Sequence, residues 1–127
     1  MAAGSAAGGV ARWALGNWLQ RAAGGEPPAV FPVGTLVVNA SGSFVLGLLA
    51  VLMARQGAPH ESLVRLLLAV GFCGGYTTFS TFSLDTIALA ESRGWGMATA
   101  NVAASVGLGL GGVLLGMLVG RMVFGRG

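Results

Sequence analysis

GFCGGYTTFSTFS, residues 71–83, crowds three glycines and six hydroxyl side chains (Tyr76, Thr77, Thr78, Ser80, Thr81 and Ser83) into a run that is otherwise apolar from 62 to about 90. Arg65 stands near one end of that run and Asp85 near the other. A bilayer span needs about 20 predominantly apolar residues, so the run is long enough to cross. A continuous helix is not expected through so many glycines and hydroxyls, and the sequence predicts a break near 74–78. In hydrocarbon the N–H and C=O groups freed by a break find no water, so it must be buried in protein, line a wet cavity or bind an ion. A half-helix beginning near Thr77 would turn its positive N-terminal end towards an anion, while freed carbonyls would suit a small cation. The alternative is a glycine-rich packing kink whose Ser and Thr side chains satisfy the backbone internally.

The rest of the chain extends the membrane reading. Of 127 residues 54% are hydrophobic and 9% are charged, against about 25% charged in a soluble domain. Four spans of about 20 residues would use roughly 80 and leave only short connections. Residues 3–20 are small and apolar with Arg12 inside them, and without a basic stretch ahead they read as a retained first helix rather than a signal peptide. Gly24, Gly25, Pro27, Pro28 and Pro32 mark a loop. The second span, 32–54, carries no charge, although Asn39, Ser41 and Ser43 interrupt its apolar character. A polar connection at 55–61 leads to the third span at 62–90, and a loop at 91–94 to the fourth at 95–120. The expectation is an all-α integral membrane protein, one domain of four transmembrane helices with the third broken. The 23 glycines fit that class, because glycine lets membrane helices approach backbone to backbone.

Charge adds a second inference. All seven basic residues are arginines, scattered along the chain and set against four acids, so nucleic acid is not an expected partner. With the N-terminus inside, Arg55, Arg65, Arg121 and Arg126 fall on the inner side and Arg21 and Arg93 on the outer. Four against two is a weak orientation signal, compatible with insertion both ways and with an antiparallel dimer about an axis in the membrane plane. The single Cys73 forms no internal disulfide, and one His is too few for an ordinary zinc site.

Phe79 and Phe82 lie three residues apart, hence on one helical face, with Ser80, Thr81 and Ser83 beside them. Aromatic ring edges are partially positive, and such edges with hydroxyl donors would replace the hydration of a small, hard anion without trapping it. The same pair would equally serve as core packing. Asn39 can donate to an anion or bridge helices. Asn101 and Ser105, four apart on the last span, form a polar strip that extends a pathway or joins helices. Gly112, Gly116 and Gly120 recur every fourth residue and read as close helix packing. Arg12 either attracts anions and neutralises carbonyls or snorkels to the interface. Asp85 is expected at headgroup level or as a cap, and Trp13, Trp18 and Trp95 as interfacial anchors near helix ends.

These residues resemble those of the Fluc/CrcB family of small fluoride channels over essentially the whole chain. Gly4, Gly8 and Arg12 resemble its first-helix pattern, PVGTLVVNASGSFVLG (residues 32–47) its second-helix signature, and GFCGGYTTFSTFS its broken third helix. The resemblance implies a dual-topology antiparallel homodimer in the plasma membrane, with two pores exporting fluoride passively. No ATP-binding loop is present. It implies Phe79 and Phe82 as pore aromatics, Asn39 as a pore-lining donor, Ser80 and Thr81 as hydroxyls beside the ion path, and Asn101 and Ser105 as a polar track. It also implies a structural sodium ion at the dimer centre, held by the carbonyls of Gly74 and Thr77 and their two-fold mates. The track departs from the family where Asn101 replaces a common aromatic hydroxyl and Gly109, one turn beyond Ser105, offers no side chain.

Two other classes compete with a channel. A small proton-coupled drug exporter needs a carboxylate inside the membrane, and the spans before Asp85 hold none in their interiors. A noncatalytic membrane subunit would use its glycines only for packing, and activity without partners would exclude it.

Overall fold

The computed structural model describes residues 1–55, 62–63 and 65–125. The connection expected at 55–61 lies, beyond Arg55, outside the described residues, as does Arg126. All regular structure among the described residues is helical. Helix α1 is Ala2–Ala22 and α2 is Val33–Arg55. A π-helical segment, π1, covers Arg65–Cys73 and runs directly into a single turn, α3, at Gly74–Tyr76. Helix α4 is Phe79–Arg93 and α5 is Trp95–Phe124.

Three stretches are long and apolar enough to cross a membrane: Val33–Ala54, Arg65–Arg93 and Trp95–Phe124. Helix α1 has the length, at 21 residues, but its apolar character is diluted by Arg12, Asn17 and Gln20. Little of the apolar surface is covered within the chain: only 6% of the most apolar window of α5 is buried. That outer surface is suited to lipid or to another protein, since it would be unfavourable in water.

Helices α2 and α5 form the closest pair, and glycine is the reason. A Cβ on Gly47 would overlap the Val113 carbonyl, and Cβ atoms on Gly112 and Gly116 would strike the carbonyls of Ala40 and Phe44. Gly120 lies against Val51 in the same seam. Helix α1 uses the same device against π1, with Gly4 on the Leu67 carbonyl and Gly8 on that of Phe72, and Gly75 of α3 lies on Ser5. Segments π1 and α3 therefore pack on α1 and α2, whereas α4 packs mainly on α5. The change of neighbour falls at Thr77 and Thr78.

One connection differs from expectation. The loop foreseen at 91–94 is not a loop: α4 continues through Arg93 and α5 begins at Trp95, so Gly94 alone makes the turn. Its φ of 90° is open to glycine and strained for other residues, which is how one residue can reverse the chain. Leu89 of α4 and Ala98 of α5 are both buried, and the two helices pack on each other. Between α1 and α2 the organising residue is Gln20, 4% exposed. Its Nε2 donates to the carbonyls of Gly25 (2.7 Å) and Phe31 (3.0 Å), and its Oε1 accepts from the Gly34 amide (3.0 Å). That amide belongs to the first turn of α2, where helical N–H groups have no partner within the helix.

Candidate functional site

The extended residues Thr77 and Thr78 create the site's main polar demand. Thr77 has ψ 156° and Thr78 has φ −148° and ψ 118°, so the helical ladder stops after the Thr77 amide. Each end is closed by a threonine. The amide and Oγ1 of Thr77 both donate to the Cys73 carbonyl, at 3.0 and 2.9 Å. The Oγ1 of Thr78 accepts from the Thr81 amide (3.2 Å), an N-cap for α4, donates to Thr81 Oγ1 (3.1 Å), and lies 3.3 Å from Ser80 Oγ.

Asn39 satisfies the extended peptide groups themselves. Its Oδ1 accepts from the Thr78 amide at 2.7 Å and its Nδ2 donates to the Thr78 carbonyl at 2.9 Å. One amide side chain thus does for Thr78 what a neighbouring strand does in a sheet. Only this orientation of the amide satisfies both bonds. Of the two roles open to Asn39, helix bridging is present in these bonds, and the second N–H of Nδ2 has no protein partner among the described residues.

A cavity of about 550 Å³ opens beside this clamp and brings together Asn39, Gly74, Thr77, Phe79, Phe82 and Ser105. The Phe79 and Phe82 rings are 5.6 Å apart between centroids and tilted by 49°, a geometry that offers edges rather than a stacked face. Phe79 is 79% exposed, so a single chain leaves most of it uncovered. Gly74 is also exposed, with no atom within 4 Å of where a Cβ would sit, and the ψ of Thr77 turns its carbonyl out of the helical ladder. No group of three or more His, Cys, Asp or Glu side chains among the described residues makes a metal site.

A second cavity, about 270 Å³, is lined by Arg12, Gln20, Thr35, Thr78, Thr81 and Asp85 among others. Thr78 lines both cavities, so the clamped residue separates them. Arg12 and Thr81 belong to this second space, apart from the aromatic cleft. Asp85 is buried, not at an exposed position, and its Oδ2 accepts from Thr35 Oγ1 at 2.9 Å. Thr35 is in the first turn of α2, where a carboxylate is favourably placed against the helix dipole. The contact is to a side-chain hydroxyl and not to a helix-end amide, so it joins α4 to α2 without capping either helix.

The expected strip on the last helix divides. Ser105 lines the aromatic cleft, but Asn101 is 1% exposed and turned towards α4. Its Nδ2 donates to Thr86 Oγ1 (2.8 Å), which donates in turn to the Phe82 carbonyl (2.7 Å). Asn101 therefore braces the backbone that carries Phe82. Ser80 is exposed at the start of α4. Trp18 and Trp95 lie near helix ends, whereas Trp13 lies well inside α1. Sequence reasoning missed Gln20 and Thr35, whose bonds to Gly34 and Asp85 span 14 and 50 residues.

Residues 1–117 match the family described as "CrcB-like protein, Camphor Resistance (CrcB)". The chain is 42% identical over 120 residues to a protein of Coxiella burnetii named "Fluoride-specific ion channel FluC", covering 94% of each chain. Proteins of the same name from Rhizobium johnstonii and Solibacter usitatus are 48% and 43% identical. The first of these matches covers 95% of this chain and 93% of the relative, the second 95% of each.

Proposed function

The chain belongs to the CrcB family of fluoride-specific ion channels, a multi-pass membrane protein rather than an enzyme, and we propose that it is itself a passive channel that exports cytoplasmic fluoride. The observation that carries this reading is the tilted Phe79–Phe82 pair in a cleft shared with Asn39, Thr77 and Ser105. Fluoride is small and strongly hydrated, so a pathway must replace its water with many weak donors. Ring edges, hydroxyls and the free Asn39 N–H are such donors, and none is a fixed cation that would hold the ion. Arg12, in the neighbouring cavity with Thr81, raises the local anion concentration.

The direction follows from acid–base chemistry and voltage. Undissociated HF crosses a bilayer, loses its proton in a near-neutral cytoplasm and leaves fluoride trapped as an anion. A negative interior drives anions outward with about 2.3 kcal/mol per charge per 100 mV, so no coupled energy source is needed.

In this reading the chain crosses the plasma membrane four times, Arg65–Arg93 being a third span broken at Thr77 and Thr78. Two copies assemble antiparallel and enclose two pores, which is supported by the weak arginine bias and by the exposure of Phe79 on one chain. The Gly74 and Thr77 carbonyls fit a structural sodium ion, since a hard cation takes oxygen ligands. Two carbonyls from one chain are too few, and the two-fold mates complete the set. The ion would supply positive charge at the dimer centre and tie the two interruptions together.

Replacing Phe79 or Phe82 by Ile removes ring edges while keeping an apolar side chain. Fluoride efflux from liposomes is expected to fall about tenfold or more in each variant, with the elution volume in size-exclusion chromatography unchanged. Wild-type efflux in both would remove the aromatic pair from the pathway.

A further inference from the structure

Four hydroxyl side chains line the aromatic cleft: Ser43, Thr77, Thr78 and Ser105. Thr77 donates to the Cys73 carbonyl and Thr78 is bonded to Thr81. The other two differ. Among the described residues neither Ser43 nor Ser105 has a side-chain hydrogen-bond partner in the chain. No buried side-chain N or O among the described residues lacks a partner, so both hydroxyls open onto the cleft. Helical serines ordinarily return their hydroxyl to the carbonyl four residues back, as Ser83 and Ser92 do at 2.8 and 2.6 Å.

Ser43 and Ser105 also share one stretch of wall. Ser105 is one turn before Gly109 on α5, and a Cβ at Gly109 would lie 3.9 Å from Ser43 Oγ. Side chains four residues apart on a helix are about 5–6 Å apart at Cβ, so Ser105 stands one turn along α5 from the point that Ser43 faces, on the wall of the same cleft. Gly109 contributes no polar atom there, and the hydroxyl of Ser43 stands in front of it.

We propose that Ser43 and Ser105 form an anion subsite on the α2–α5 wall of the cleft, with Ser43 supplying from α2 the hydroxyl that Gly109 does not supply from α5. The subsite rests on the channel reading above and makes it more specific. Two neutral O–H donors hold a small anion weakly, and no charged residue lines the described cleft to trap it.

The test uses the full chain in liposomes loaded with potassium fluoride, with wild type and protein-free vesicles in the same series. Ser43→Ala keeps the Cβ that packs near Gly112 and removes only the hydroxyl. Fluoride efflux is expected to fall about tenfold, and adding Gly109→Ser to Ser43→Ala is expected to restore most of it by returning a hydroxyl to the same place from the other helix. Wild-type efflux in Ser43→Ala, or a loss that Gly109→Ser does not recover, overturns the subsite. Should Ser43→Ala aggregate, Ser105→Ala carries the test, with a tenfold loss expected and an unchanged rate against it. Wild-type vesicles that release no more than protein-free ones would instead bring down the channel reading, and the subsite with it.

Discussion

Along the α2–α5 seam Gly47 lies on the Val113 carbonyl and Gly116 on that of Phe44, whereas at Thr77 and Thr78 the backbone leaves the helix and is bonded by Asn39 and by threonine hydroxyls. Both are places where main chain must be accommodated inside a membrane protein. In the seam every peptide group stays in its own helix, and the requirement is only that nothing stand between the two backbones. At the interruption the helical bonds stop after the Thr77 amide, and the requirement is for particular donors and acceptors at particular places. Small size is thus the sequence requirement of the first region, and chemical identity that of the second.

Enlarging the seam is the severest way to break this contrast. Gly116→Leu drives a side chain into the Phe44 carbonyl, and backbone held in a helix cannot move aside. Ordinary overpacking costs about 1–3 kcal/mol, and a backbone collision more. The variant is expected to yield no monodisperse protein in size-exclusion chromatography. Gly107→Leu, where nothing lies within 4 Å of the Cβ position, is expected to elute as wild type. Equal behaviour of the two would show that the seam is not set by size.

At the interruption the largest effect belongs to Asn39. Asn39→Ala leaves the Thr78 N–H and C=O without their partner, at about 2–4 kcal/mol, and should lower the thermal midpoint in detergent markedly. Asn39→Asp keeps an acceptor for the Thr78 amide but offers no donor to its carbonyl, so its midpoint should fall between Ala and wild type. An Asp variant as stable as Asn would mean that the bond to the carbonyl contributes nothing. The smallest effect is expected of Thr78→Val, which preserves shape and removes the α4 N-cap at a cost of about 1 kcal/mol. A loss equal to that of Asn39→Ala would place the weight of the interruption on the cap instead.

The same contrast sorts what could be read from sequence. Hydropathy runs and glycine spacing are local signals, and they anticipated helices near Val33–Arg55 and Trp95–Phe124 and the packing role of Gly112, Gly116 and Gly120. The one-residue turn at Gly94 was hidden, because polar residues 91–93 read as loop when they are the exposed end of α4. Side-chain identity was visible at the site but pairing was not. Asn39 had two possible partners, and only the fold brings it to Thr78, 39 residues away. Asn101 and Ser105 share a helical face by spacing, yet α4 covers the first and leaves the second on the cleft, a difference set by where α4 stops packing. Gln20 carried no clear local signal, since two of its bonds go to carbonyls of the α1–α2 connection and the third exists only once α2 has folded back beside α1.

The most direct test of the central claim is anion efflux from liposomes that contain only this purified protein, with fluoride and chloride followed by ion-selective electrodes under matched gradients. Rapid fluoride release with little chloride release is the predicted result, because donors placed for a small, strongly hydrated ion do not suit a larger one. Release of neither ion above protein-free vesicles, or equal release of both, would contradict a self-sufficient fluoride-selective channel.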